Sequence, residues 1–282
     1  MKIDKVGVVG CGQMGGGIAQ VSAQAGYEVI VSEINEELLQ RGLSAINSSL
    51  TRNVEKGRIT ATDKDATLSR IKGTTDLKDF NDCDLVIEAA IENMDLKKSI
   101  FANLDKVTPR HAILASNSSC LSIIDMAMET TKPELVLGMH FFNPVPVMKL
   151  VEIVKTIATS DETVKACQEF CQAIGKTSII AKDTPGFIVN TILMPFMLEA
   201  VRMLEDSVAT AEDIDNGIQL GLNHPMGPLA LIDLIGLDTV FNIASGIYEE
   251  FRAPRFAPPV LLKKMVIAGR FGRKSGWGFY KY

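Results

Sequence analysis

Apolar and polar positions along this chain change rhythm after about residue 185. Before that point, short β-rich apolar runs alternate with longer stretches in which apolar residues recur at helical spacing; after it, only the helical spacing persists. Lys5-Val6-Gly7-Val8-Val9 predicts a first strand, a helix follows to about Gly26, and Glu28-Val29-Ile30-Val31-Ser32 predicts a second strand. Leu38, Leu39, Leu43, Ile46 and Leu50 share one face of a long helix from Glu36 to about Gly57. A shorter helix near Lys64 to Ile71 is expected to fold back on it. Further strands are predicted over Leu85–Ile87, Ala112–Ala115, Leu135–Met139, Leu150–Val154 and Thr177–Ile180. Asp183-Thr184-Pro185-Gly186 is a turn cluster and marks the expected domain boundary. Helices are then predicted over Phe187–Asp206, Ala211–Leu220, Leu229–Phe251 and Pro259–Ala268. The organisation expected is an α/β domain over 1–185 with a helical hairpin inserted at about 36–71, then an all-α domain over 186–282.

Composition narrows this picture. The 282 residues suffice for two medium domains, each with its own core. The formal net charge of −5 argues against nucleic acid as the main partner, although local basic clusters can still hold a small anion. No apolar run approaches the ~18–20 residues that cross a membrane, so no membrane partner is expected. The first residues, Met1 to Lys5, lead directly into a strand pattern rather than a targeting segment. Cys11, Cys83, Cys120, Cys167 and Cys171 are odd in number and match no zinc or disulfide spacing, so no metal is expected. Cys167 and Cys171 read as half-buried neighbours on a helix, and a reducing, cytoplasmic location fits best.

The first strand is followed by Gly10-Cys11-Gly12-Gln13-Met14-Gly15, a G-x-G-x-x-G sequence that opens a helix. In that setting Gly10 permits a tight turn, Gly12 the approach of a pyrophosphate, and Gly15 close packing of helix on strand. The helix start offers backbone N–H groups to phosphate. Glu33 ends the second strand about 20 residues on, where a carboxylate accepts from a ribose 2′-hydroxyl and repels a 2′-phosphate. The first domain is therefore expected to be a Rossmann-type fold that binds NAD.

Three later segments carry more specific information: Ala115-Ser116-Asn117-Ser118-Ser119, Met139-His140-Phe141-Phe142-Asn143-Pro144-Val145-Pro146, and Lys182-Asp183-Thr184-Pro185-Gly186-Phe187-Ile188-Val189-Asn190. Together with the tail from Phe271 to Tyr280 they resemble the signature segments of the 3-hydroxyacyl-CoA dehydrogenase family, over essentially the whole chain. The compact length, without a fused hydratase module, is similar to the stand-alone bacterial members acting on 3-hydroxybutyryl-CoA. The resemblance implies His140 as catalytic base and Glu152 as its orienting partner. It implies contacts from Ser119 and Asn190 to the oxygen-bearing carbons of the substrate and the nicotinamide region. Glu92, Lys97, Asn143 and Lys274 are implied to line the cofactor, and Arg52 and Lys56 to bind the CoA moiety. It also implies a homodimer or larger assembly. Ser118, where Thr is frequent, and Trp277, where a polar residue is common, depart from the family pattern and bear only on pocket shape.

The chemistry has some footing without the family. Exchange of a hydride at a secondary alcohol requires a group that takes up and returns the hydroxyl proton, which histidine can do. Of the three histidines, His111 follows a surface turn and His224 falls in a loop between helices, whereas His140 ends a strand on the side where open sheets bind ligands. Glu152 lies between Val151 and Ile153, and a carboxylate buried there requires a partner such as an imidazole N–H. Ser119 and Asn190 read equally well as turn or cap residues. Arg52 and Lys56, spaced i and i+4, read equally well as a solvated helix face. A dehydrogenase of a free hydroxy acid, of the gulonate type, and a non-catalytic NAD-binding protein remain alternatives at this level.

Overall fold

The computed structural model describes residues 1–282, and backbone contacts divide the chain into two compact units, Met1–Thr184 and Pro185–Tyr282. The first unit runs β1 (Lys5–Val9), α1 (Gln13–Gln24), β2 (Glu28–Ser32), α2 (Glu36–Glu55), α3 (Ala61–Ser69) and β3 (Ile71–Thr74). It continues with β4 (Leu85–Glu88), α4 (Met94–Val107), β5 (Ile113–Ser116), α5 (Ile123–Ala127), β6 (Val136–Phe141), β7 (Leu150–Lys155), α6 (Asp161–Ala173) and β8 (Thr177–Lys182). The eight strands form one sheet in the order β3-β2-β1-β4-β5-β6-β7-β8. Every pairing is parallel except β6 with β7.

The first six strands in chain order have the doubly wound arrangement in which strand order reverses between β1 and β4, and ligands of such sheets bind at that crevice. The central strands are buried along nearly their whole length, as a sheet covered on both faces requires. One core contains Val8, Val31, Ile87, Ala115 and Met139 from the strands, with Ile18 and Phe170 from α1 and α6. Cys167 and Cys171 are fully buried in that core rather than half-buried, because α6 lays their face against the sheet.

The helical hairpin after β2 is α2 and α3, and local chemistry sets its ends. Asn35 caps α2 by accepting from Leu38 N–H, Glu36 and Glu37 stand in its first turn, and Arg52 stands in its last. Thr60 and Asp63 form a reciprocal capping box on α3. The second helix starts and ends earlier than its apolar spacing predicts. Ile71, assigned above to the helix, instead opens β3, an edge strand that the short Ile71-Lys72-Gly73-Thr74 run signals only weakly. The pair is thus the crossover from β2 to β3. Helices α4, α5 and α6 complete the remaining crossovers between parallel strands.

The second unit is helical: α7 (Val189–Glu205), α8 (Ala211–Leu222), α9 (Pro228–Ile235), α10 (Leu237–Phe251) and α11 (Val260–Ile267). The single helix expected over Leu229–Phe251 is two helices bent by 98° at Gly236. Gly236 has φ +106°, a backbone conformation that a residue with a Cβ rarely adopts. No single helix of the chain is long and apolar enough to cross a membrane.

Two buried carboxylates hold this unit together. Asp215 on α8 accepts from Leu229 N–H at 2.8 Å and Ala230 N–H at 2.9 Å, at the start of α9, and from the Tyr280 hydroxyl at 2.8 Å. Asp233 on α9 accepts from the amides of Phe279 and Tyr280 and from the Tyr282 hydroxyl, which fastens the C-terminal tail. Burial, and then the bond to Asp215, pushes the Tyr280 phenol above its usual range. Replacing Asp215 by Ala leaves three donors without their acceptor. The substitution is expected to cost on the order of 3 kcal/mol, read as a lower urea midpoint with an unchanged denaturant slope. An unchanged midpoint would show that water replaces these bonds without loss.

Candidate active site

The glycine turn leaves β1 at the reversal point of the sheet. Gly10 has φ +92°, and a Cβ on it would lie 2.8 Å from Ala89 O, just beyond β4. A Cβ on Gly15 would lie 1.9 Å from Gly10 O, so only glycine lets α1 close on the turn. At Gly12 a Cβ would meet nothing within 4 Å, and Gly12 lines a cleft of about 850 Å³. A side chain there would occupy cleft space rather than core. Gly12 also stands as N-cap of α1 without a side-chain cap bond, and no acidic residue follows in the first turn. These features suit the pyrophosphate of a dinucleotide. Gln13 lines the same cleft, while Met14 is half-buried against the core.

Glu33 lines the cleft and is half-buried. Its Oε1 accepts from Cys11 N–H at 2.8 Å and its Oε2 from Ile34 N–H at 3.1 Å. The carboxylate is therefore anchored to the glycine turn itself and keeps lone pairs for a ribose hydroxyl.

The switch to antiparallel pairing at β6 and β7 sets His140 directly opposite Glu152. Opposed residues of such a pair point to one face, and His140 Nδ1 lies 2.6 Å from Glu152 Oε2. The carboxylate is completely buried and the imidazole nearly so. With Nδ1 as donor to the carboxylate, the ring presents Nε2 as a proton acceptor. Phe142 packs on the imidazole with ring centroids 4.6 Å apart. His111 instead lies exposed, 3.1 Å from Asp84, and His224 lies exposed against Phe196.

Ser119 is half-buried in the loop after β5. Glu92 Oε1 accepts from Ser118 Oγ at 2.5 Å, from Ser119 N–H at 2.9 Å and from Cys120 N–H at 3.4 Å. Behind Glu92, the Lys97 ammonium contacts Glu92 Oε2 at 3.4 Å and both oxygens of Glu88, at 2.7 and 2.8 Å. Asn143 lies exposed between β6 and β7, follows the same cleft wall as Pro144, and is joined to it by a cis peptide bond.

Arg52, in the last turn of α2, and Lys56, its C-cap residue, are both exposed along the cleft. In the second unit Asn190 lies in the first turn of α7. Lys274 pairs with Asp238 at 2.5 Å. Ser119, Glu92 and Lys97 thus share one hydrogen-bonded cluster, His140 and Glu152 form another, and Gly12, Gln13, Glu33, Asn143, Arg52 and Lys56 border one cleft.

Residues 5–184 match the model of the 3-hydroxyacyl-CoA dehydrogenase NAD-binding domain, and residues 186–282 that family's C-terminal domain. The chain belongs to the 3-hydroxyacyl-CoA dehydrogenase family. It is 49% identical to a 3-hydroxybutyryl-CoA dehydrogenase of Mycobacterium tuberculosis, over 99% of each chain. It is 43% identical to the mitochondrial hydroxyacyl-coenzyme A dehydrogenase of Sus scrofa, over 99% of this chain and 91% of that one. The crystal structure of (S)-3-hydroxybutyryl-CoA dehydrogenase from Ralstonia eutropha superposes with a TM-score of 0.96 at 45% identity, covering 100% of this chain and 99% of that one.

Within this member of the 3-hydroxyacyl-CoA dehydrogenase family, the sequence reading missed several site residues. Arg41, Ser49 and Arg58 line the cleft beside Arg52 and Lys56. The spacing Arg41, Ala45, Ser49, Arg52, Lys56 follows one helical face of α2, so the i, i+4 relation of Arg52 and Lys56, extended toward the start of the helix, carries the signal for Arg41 and Ser49. Glu88 was also missed, although it ends the apolar run Leu85-Val86-Ile87 in the way Glu152 interrupts another.

Proposed function

We infer that this chain catalyses the NAD-dependent interconversion of (S)-3-hydroxyacyl-CoA and 3-ketoacyl-CoA esters, with the short pair 3-hydroxybutyryl-CoA and acetoacetyl-CoA as substrates. The observation that carries the chemistry is the buried His140–Glu152 pair, at 2.6 Å and opposite each other across β6 and β7. The names of the relatives support the choice of acyl length. A place in fatty-acid or butyrate metabolism, in the cytoplasm, accords with that substrate.

Gly10, Gly12, Gly15 and the first amides of α1 would hold the pyrophosphate of NAD, and Glu33 its ribose. When bound, NAD supplies the acceptor or donor of the hydride exchanged at C3 of the ester. In oxidation His140 Nε2 takes the proton of the C3 hydroxyl, and in reduction the imidazolium returns it. Glu152 holds the ring in the tautomer with its proton on Nδ1 and stabilises the imidazolium by its charge. Removing either side chain acts on the same proton transfer. Ser119 is proposed to contact the oxygen-bearing end of the substrate, and Asn190 to add a further polar contact. Glu92, Lys97, Asn143 and Lys274 are proposed for the cofactor.

Purified protein is expected to oxidise NADH with acetoacetyl-CoA and to leave free acetoacetate largely untouched; equal turnover of the two would favour a free hydroxy-acid dehydrogenase. His140→Ala should lower kcat by about 10²–10⁴-fold with NAD affinity nearly intact, and Glu152→Gln should lower it by a smaller factor. The double variant should be little slower than His140→Ala, because the two residues act as one unit. An active His140→Ala enzyme would assign the proton to another group.

The basic cleft wall is proposed as the site of the CoA phosphates. Loss of Arg52 or Lys56 should raise KM for the ester by about 10- to 100-fold and change kcat less. An unchanged KM in the double Ala variant would return both to the solvated surface.

Assembly is proposed to run through the second unit. The apolar side chains of its helices divide: Met197, Leu229 and Ile232 are buried, whereas Ile192 and Leu234 stay exposed together with Leu220, Leu222 and Ile267. Large apolar side chains left exposed on one unit favour association. A homodimer or larger assembly is expected at micromolar concentration by light scattering, and a monomer mass would refute it.

A further inference from the structure

We propose that Glu88 is a positioning residue for the cofactor end of the site, forming with Lys97 a buried clamp that holds the Glu92 carboxylate against the Ser118–Cys120 loop. The proposal rests on the reading of the chain as an NAD-dependent dehydrogenase.

Glu88 is completely buried at the C-terminal end of β4, beside the reversal point of the sheet. Three donor groups make four hydrogen bonds to it: both its oxygens meet Lys97 Nζ, Oε1 accepts from Ala90 N–H at 2.6 Å, and Oε2 accepts from Ser116 Oγ at 2.7 Å. Lys97 is itself only 1% exposed. An ammonium has three N–H donors. Both oxygens of Glu88 accept hydrogen bonds from this one, and Glu92 Oε2 stands 3.4 Å from it as a second ion-pair partner. Lys97 therefore acts on the cofactor side through Glu92, whose side chain is 36% exposed.

Glu92 in turn makes its shortest bonds to Ser118 Oγ and to the amide of Ser119. Ser116 links the two ends of the cluster, because its hydroxyl donates to Glu88 and accepts from Ser118 N–H. The charge of Glu88 thus fixes where Lys97 sits, and Lys97 fixes which way Glu92 points. A neutral Glu88 would free the ammonium to swing fully onto Glu92 and draw it off the loop.

Cys120 reports on that contact in the protein without cofactor. Its thiol lies 3.7 Å from Glu92 Oε1 and is pushed up to about 12, by burial first and by Glu92 next. The other four cysteines are buried.

The test compares wild type, Glu88→Gln and Glu88→Gln/Lys97→Met by NAD binding without substrate, and by iodoacetamide labelling at each cysteine without NAD. The clamp predicts that Glu88→Gln raises the NAD Kd by about 10-fold or more and speeds labelling several-fold at Cys120 alone. The double variant, which has no ammonium left to draw Glu92 off the loop or to favour the Cys120 thiolate, should return Cys120 labelling to the wild-type rate or below it. Wild-type Kd and Cys120 labelling in Glu88→Gln would overturn the proposal, as would Cys120 labelling in the double variant as fast as in Glu88→Gln, or simultaneous labelling of all five cysteines, which signals general opening. A wild-type protein that binds NAD but does not reduce acetoacetyl-CoA would refute the assigned reaction and leave the comparison of variants standing.

Discussion

A carboxylate removed from water has to be met by donors, and the organisation of this chain turns on how it satisfies that requirement. Glu88, Glu152, Asp215 and Asp233 are all essentially unexposed. An unpaired charge at such depth is prohibitively costly, so each position dictates what must surround it. In the second unit the answer is structural: Asp215 collects the start of α9, and Asp233 collects the tail. In the first unit the same requirement recruits titratable partners, an imidazole for Glu152 and an ammonium for Glu88. Stability and chemistry draw there on one set of contacts.

The sheet supplies the precision. Parallel pairing brings the ends of β1 and β4 together, so that the glycine turn approaches the backbone after β4 and leaves the α1 amides free for phosphate. One reversal of direction, between β6 and β7, converts two residues twelve positions apart into directly opposed neighbours. Functional groups carried on strands hold their geometry better than groups on loops. The loop that carries Ser119 lacks that support and obtains it from Glu92 instead.

Charge is distributed unevenly for a chain of net charge −5. The cleft has one anchored carboxylate, Glu33, near the glycine turn, and a basic wall formed by Arg41, Arg52, Lys56 and Arg58. These opposite signs on neighbouring walls suit different parts of a ligand, the carboxylate a hydroxyl group and the basic wall phosphates. The acidic average of the whole molecule hides this local field.

Periodicity and local chemistry in the sequence determined the alternation of strand and helix, the glycine turn and the family signatures, because each depends on residues close together along the chain. Burial of Glu152 within an apolar run even pointed to its need for a partner. The edge strand β3 escaped because four residues, including Gly73, carry too little pattern to outweigh the preceding helix. The bend at Gly236 escaped because apolar spacing runs straight through it. Glu88, Lys97 and Glu92 came together only in the folded sheet, since the oxygens that surround Lys97 and the loop that receives Glu92 lie on separate elements. Local patterning sets which elements form; the matching of buried charges between elements depends on distances that exist only after they pack.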